Sequence, residues 1–257
     1  MIESPALLAL CALAFAAGFV DSIVGGGGLI QLPALFVLAP QLSVVTLLGS
    51  NKFASVWGTA AASWQYARRL PVQWRATLPT LLAALVFGYF GARSAALMPA
   101  SAFRPLILGL LLAVLAYTLW KKDFGALHAP RLDPRQTMLA ALACGALIGF
   151  YDGFFGPGTG SFLLFAFVGV FGFSFVAASA SAKLVNLATN LAALTYFIGA
   201  GHVRYELAVP MAICNVAGSV LGARLALRRG SGFVRVFFII VVLLLIARFA
   251  WDLATGR

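Results

Sequence analysis

The sequence predicts an all-α protein, a polytopic transmembrane helical bundle of 8 to 10 helical segments in two structural repeats with glycine-broken helices. Three observations predict this. Apolar runs of bilayer length follow one another along the chain, charged residues are scarce, and the pattern of both recurs at a fixed spacing of 131 residues. Of the 257 residues, 62% are hydrophobic and only 10% charged, with a mean hydropathy of +1.00. A water-soluble globule has about 25% charged residues.

In chain order, apolar runs occupy residues 5–24, 28–39, 43–66, 76–98 and 105–120. They resume after a polar stretch from Lys121 to Arg135, at 137–155, 160–171, 174–200, 207–227 and 236–251. The first run follows Met1-Ile2-Glu3-Ser4-Pro5, with an acid where a signal peptide needs a basic region, so it is expected to stay in the mature protein. A bilayer core of about 30 Å needs about 20 helical residues. Most runs meet that length, but 28–39 and 160–171 do not, and these are read as half-helices entered through a glycine-rich break.

The breaks are the clearest sign of repetition. Gly18-Phe19-Val20-Asp21 leads into Gly25-Gly26-Gly27-Gly28, and 131 residues on Gly149-Phe150-Tyr151-Asp152 leads into Gly156-Pro157-Gly158-Thr159-Gly160. At the same offset Ser50 and Lys52 fall on Ser181 and Lys183, Pro79 on Pro210, Arg93 on Arg224, Arg104 on Arg235, and Trp120 on Trp251. Chance apolar matches are easy in so biased a composition; four matched charges are not. The expected organisation is repeat 1 over 1–124, a linker at 125–131 and repeat 2 over 132–257, all in one membrane domain. Five crossings per half make the repeats inverted, with both ends outside and most Lys and Arg on the cytoplasmic side.

The net charge of +11 would point to nucleic acid in a soluble chain, but here Lys and Arg flank apolar runs, so lipid head groups and topology account for them and no nucleic acid is expected. Cys11, Cys144 and Cys214 stand singly in separate runs and are expected as buried packing residues. His128 and His202 have no metal-ligand spacing, and no nucleophile elbow, phosphate loop or zinc motif occurs. Neither an enzyme, a metal nor a cofactor is expected. Gly218 and Gly222 form a small-residue face suited to close helix packing.

Lys52 and Lys183 lie deep in their runs. A lysine at a helix centre costs about 2.5–3.5 kcal/mol by insertion scales, so it faces a partner or a water-filled cavity, or reaches to an interface. Lys52, Ser55 and Thr59 share one helical face, and Lys183, Asn186 and Asn190 repeat it, which places a polar seam between the halves. The half-helices begin after Gly28 and near Gly160, and a helix N-terminus offers free N–H groups and a positive dipole end. Ammonium groups beside helix N-termini suit a small anion. Two-repeat membrane proteins carry their site near the midplane. The candidate binding residues are therefore Gly25, Gly26, Gly27, Gly28, Gly156, Gly158, Thr159 and Gly160 as backbone cradle, Lys52 and Lys183 as charge partners, and Asn51, Asn186 and Asn190 as hydrogen-bond donors. Asp21 and Asp152 either balance the lysines or carry a coupled proton.

The paired Gly-Phe-x-Asp motifs with their glycine breaks, and the Ser-x-Lys after each, resemble the TauE/SafE family of sulfite exporters, within the toluene sulfonate uptake permeases. The resemblance covers essentially the whole chain. It implies a multi-pass carrier of the bacterial inner membrane, without a cofactor, for sulfite, sulfoacetate or related sulfonates, with proton coupling and a homo-oligomer both open. The halves also differ: the second break contains Pro157 and Thr159, and Asn51 is replaced by Ala182. Two other readings stay open at this point, a passive anion channel and a non-transporting scaffold or assembly protein.

Overall fold

The computed structural model describes residues 4–99 and 132–255, with side chains described as far as Gly230. Among the described residues there are eight helices: α1 (Ser4–Val24), α2 (Gly28–Leu38), α3 (Val44–Ala67), α4 (Trp74–Leu97), α5 (Pro134–Phe154), α6 (Thr159–Gly169), α7 (Phe175–Gly199) and α8 (Tyr205–Thr255). The run at 105–120, the linker, Arg104, Trp120 and His128, and the side chains of Arg235 and Trp251, lie outside the described residues.

Helix ends follow local sequence. Ser43 caps α3 by accepting from the Thr46 amide at 3.2 Å, and Ser174 caps α7 from Ala177 at 3.4 Å. Asp133 and Gln136 form a reciprocal capping box at the start of α5. The expected runs at 207–227 and 236–251 are two helical stretches that meet at a kink at Gly230, where φ is 73° and ψ −167°; the label α8 covers both. As expected, α2 and α6 are short, at 11 residues each, or about 16 Å of helix. Helices α5 to α8 begin 130 or 131 residues after α1 to α4.

The two halves are interleaved. α1 packs along α8 and α4 along α5, while α3 and α7 meet each other inside and are flanked by α8 and α4 respectively. Small residues allow these approaches. A methyl on Gly18 would strike the backbone of Asn215, one on Gly218 or Gly222 the backbone of α1, and one on Gly149 the backbone of Ala84. Such contact between helix backbones is how association proceeds where lipid removes most of the hydrophobic drive. α1 also sets Cys11 beside Cys214 of α8, so these two are neighbours, and all three cysteines are half-buried at the flanks of packed faces.

Among the described residues, four helices are long and apolar enough to cross a membrane: α1, α4, α5 and the 205–230 part of α8. Their outer faces expose Leu78, Leu82 and Val86 on α4, Leu139 and Leu147 on α5, and Ile213 and Leu221 on α8. α3 and α7, with 24 and 25 residues, are long enough but more polar. They bury Ser50, Asn51, Lys52, Thr59 and Ser63, and Ser181, Lys183, Asn186 and Asn190, so the polarity faces inward. The result is a helical membrane protein with a polar centre.

Candidate functional site

The centre is built where the two breaks cross. At Gly25 the backbone is left-handed, with φ 83°, and a methyl there would lie inside the backbone of Gly160. Gly28 meets Pro157, whose Cα would be 3.1 Å from an added methyl. At Gly25 only glycine permits both the conformation and the approach. The Ser161 hydroxyl ties the crossing by donating to the Val24 carbonyl at 2.9 Å, and the Tyr151 hydroxyl donates to the Pro157 carbonyl at 2.6 Å. Gly26 is buried in the turn, Gly27 and Gly158 cap α2 and α6, and Thr159 donates to the Gly156 carbonyl at 2.7 Å.

The charged pairs lie on this crossing and connect one half to the other. Lys52 Nζ on α3 donates to Asp152 Oδ2 on α5 at 2.7 Å and to Asn190 Oδ1 on α7 at 3.0 Å. Lys183 on α7 donates to Asp21 Oδ2 on α1 at 3.1 Å and to the Asp21 carbonyl. Lys52 and Lys183 are 3% and 2% exposed, which rules out snorkelling to an interface. Gly156 faces Lys52: a methyl there would be 2.9 Å from Nζ. The Asp21 carboxylate also accepts from the Gly27 amide at 3.3 Å, so a protein carboxylate already occupies the anion position at the start of α2.

The pairs are related by the offset but not equivalent. The Asp152 side chain is 2% exposed and that of Asp21 is 17% exposed. Facing an ammonium, which has no acceptor, Asn190 turns its amide oxygen to Lys52, which leaves its NH₂ as the donor end of the side chain. It also sits with Lys52 rather than with Lys183 of its own helix, because α3 and α7 pack face to face. Asn186 lies next to it, its Oδ1 3.5 Å from Asn190 Nδ2.

A second polar group was not foreseen. Gln31 on α2 extends its amide toward the Asn51 carbonyl and Ser55 Oγ, both at 3.4 Å, and accepts from Asn215 Nδ2 of α8 at 2.9 Å. Asn215 also donates to the Ala14 carbonyl at 3.2 Å. Next to them Asn51 is 5% exposed, and its Oδ1 is buried without a partner. Such a group costs about 1–3 kcal/mol unless something completes it. The available signal was a lone amide, Gln31, inside an apolar half-helix; at the offset it becomes Phe162, and Asn215 becomes Ala84, so a search for repeated polar residues passes over both.

Fold and site together define a polytopic helical membrane protein with an enclosed, charged centre at the crossing of two broken helices. The chain belongs to the sulfite exporter TauE/SafE family, whose model matches residues 10–249. It is 34% identical over 241 residues to "Probable membrane transporter protein ORF9" of Sinorhizobium sp., covering 93% of this chain and 90% of that one. It is 34% identical over 250 residues to "Probable membrane transporter protein YfcA" of Escherichia coli K12, covering 97% and 91%, and 31% identical over 246 residues to a "Probable membrane transporter protein" of Haemophilus influenzae, covering 96% and 95%. No solved structure matches the chain.

Proposed function

We propose that this protein is a bacterial inner-membrane carrier that moves small sulfur-containing anions, such as sulfite or organosulfonates, outward, with protons coupled through Asp21 and Asp152. In this reading 1–124 and 132–257 are inverted repeats, and the crossing of their breaks is the midplane site. The observation that carries the reading is the crossed pairing: each buried lysine is neutralised by an aspartate of the other half, beside a glycine break.

Charge accounting gives the mechanism. With no substrate, each Lys–Asp pair is neutral. An entering monoanion competes with the carboxylate for the ammonium and would leave the buried site one charge short. Protonation of the aspartate restores neutrality and releases the ammonium to the anion. Anion and proton therefore load together. Asn51, with its unpartnered amide oxygen, and Asn186 and Asn190 orient the bound oxyanion; the Asn51 side chain can also present its NH₂ by an amide flip. Outward movement follows from a higher substrate concentration inside.

The test is sulfite-driven flux in proteoliposomes with a pH dye inside. Wild type should show saturable sulfite flux accompanied by proton movement. Lys52→Met and Lys183→Met should abolish both, and Asp152→Asn should leave anion exchange while removing proton movement. Folded lysine variants that transport at the full rate would sink the proposal.

A further inference from the structure

A cavity of about 630 Å³ opens between the C-terminal end of α3 and α8, lined by Trp64, Gln65, Arg68, Arg69, Val220 and Arg224. We propose that it is an oxyanion site separate from the central lysines, taking a tetrahedral phosphate- or sulfonate-type group, whether from a free solute or from the head group of an anionic lipid. The volume is that of a small-molecule site, of which about 300–1,000 Å³ is typical. Its cations are unanswered: the ion pairs among the described residues are Lys52–Asp152, Lys183–Asp21 and Arg204–Glu206, and none involves Arg68, Arg69 or Arg224. Arg68, Arg69 and Arg224 are solvent-exposed and line one space with like charge, and their forked N–H donors match the oxygens of a sulfonate or phosphate.

The wall is organised. The Arg68 guanidinium lies over the Trp64 ring, 5.1 Å from its centroid, which holds that cation in place. Behind it the Tyr66 hydroxyl donates to the Ser22 carbonyl at 3.0 Å and fixes the end of α3 against α1.

The internal offset supplies a control. At 131 residues from Gln65 and Val220 stand Tyr196 and Tyr89, whose rings meet edge to face at 5.6 Å across the corresponding helix pair, α7 and α4. Arg68 and Arg69 correspond to Gly199 and Ala200, and only Arg224 keeps a cation, in Arg93. The same helix packing therefore exists in a form closed by aromatics and without the arginine pair. Topology signals explain arginines near helix ends; they do not require three of them to line one cavity with no acid among its described lining residues.

The test uses the full chain in phosphatidylcholine nanodiscs, titrated with sodium sulfate at constant ionic strength while tryptophan fluorescence is read. A saturable change is expected, absent in Trp64→Phe, which assigns it to this cavity. Arg68→Gln/Arg69→Gln and, separately, Arg224→Gln should raise the half-saturating concentration on the order of tenfold or more. Lys183→Met should leave the response intact, so failure here and failure of the carrier reading are distinguishable. Discs containing phosphatidylglycerol separate the sources. If the lipid is the ligand, it alters the Trp64 signal and competes with sulfate, and both effects vanish in the arginine variants; if a solute is the ligand, the sulfate response is unchanged by the lipid. A response that does not saturate, or one that ignores the arginines in both kinds of disc, overturns the proposal.

Discussion

Replacing Asp152 by Asn should destabilise the protein more than the same change at Asp21, by about 2 kcal/mol. Lys52 has two partners, the Asp152 carboxylate at 2.7 Å and Asn190 Oδ1 at 3.0 Å, and both charged side chains are at most 4% exposed. Asp152→Asn keeps the shape but strands an ammonium against neutral oxygens, and breaking a buried pair in this way costs about 3–5 kcal/mol. Lys183 keeps the Asp21 carbonyl whatever the side chain becomes, and the Asp21 side chain is 17% exposed, so water reaches part of the pair. Asp21→Asn should cost about 1–2 kcal/mol. Adding Lys52→Met to Asp152→Asn removes the stranded charge and should return about 2 kcal/mol or more, a coupling that a double-mutant cycle isolates. The assay is equilibrium unfolding in detergent followed by far-UV circular dichroism. Equal or inverted costs for the two aspartates, or a double variant no more stable than Asp152→Asn alone, would refute the reasoning.

Three further outcomes are expected, the first two from the same assay. Gly25→Ala combines a φ of 83° with a collision against Gly160 and should cost about 3 kcal/mol or more, whereas Gly201→Ala, with φ 72° and nothing within 4 Å of the added methyl, should cost about 1–2 kcal/mol; equal losses would mean that the crossing is not tight. Asn215→Ala removes two buried hydrogen bonds and leaves Gln31 Oε1 without that donor, so a loss of about 1–3 kcal/mol is expected, and a neutral result would discount the network. Asp133→Ala removes the α5 capping box and should cost about 1 kcal/mol, seen as faster amide exchange in the first turn of α5.

The helices were legible because membrane helices carry their length and apolar period openly, and glycine breaks are visible as interruptions. Lys52 and Lys183 were legible as site candidates because a deep charge needs a reason. Their partners were less so. Proximity along the chain favours Asp21 with Lys52 and Asp152 with Lys183, the uncrossed pairing; the crossed pattern arises because α3 and α7 meet inside the bundle, a matter of packing that spacing does not encode. The glycines were assigned to an anion cradle, and the structure shows the additional demand on Gly25 and Gly160, which press on each other's backbone. The Gln31–Asn215 contact stayed hidden because neither residue is repeated and the two are 184 positions apart. Repetition picks out what the halves share, and so passes over what makes them differ.

That difference bears on the carrier proposal. Both pairs join one half to the other, and the Ser63 hydroxyl adds a bond to the Lys183 carbonyl at 2.9 Å across α3 and α7. Sliding α3 against α5, or α7 against α1, with the centre empty would separate opposite charges in a dry environment, where the penalty is greatest. With an anion at the ammonium and a proton on the carboxylate, the same movement separates no charge. Under the carrier proposal the crossed pairs would act as a latch that substrate and proton release together. Because Asp152 is sealed while Asp21 is partly open, the Asp21–Lys183 pair is the one positioned to exchange with solvent first. A pore has no need of such a latch, since its conducting state must tolerate an unoccupied centre; a carrier latched in this way favours exchange of one loaded anion and proton for another, and its net efflux is limited by the slow return of the empty form.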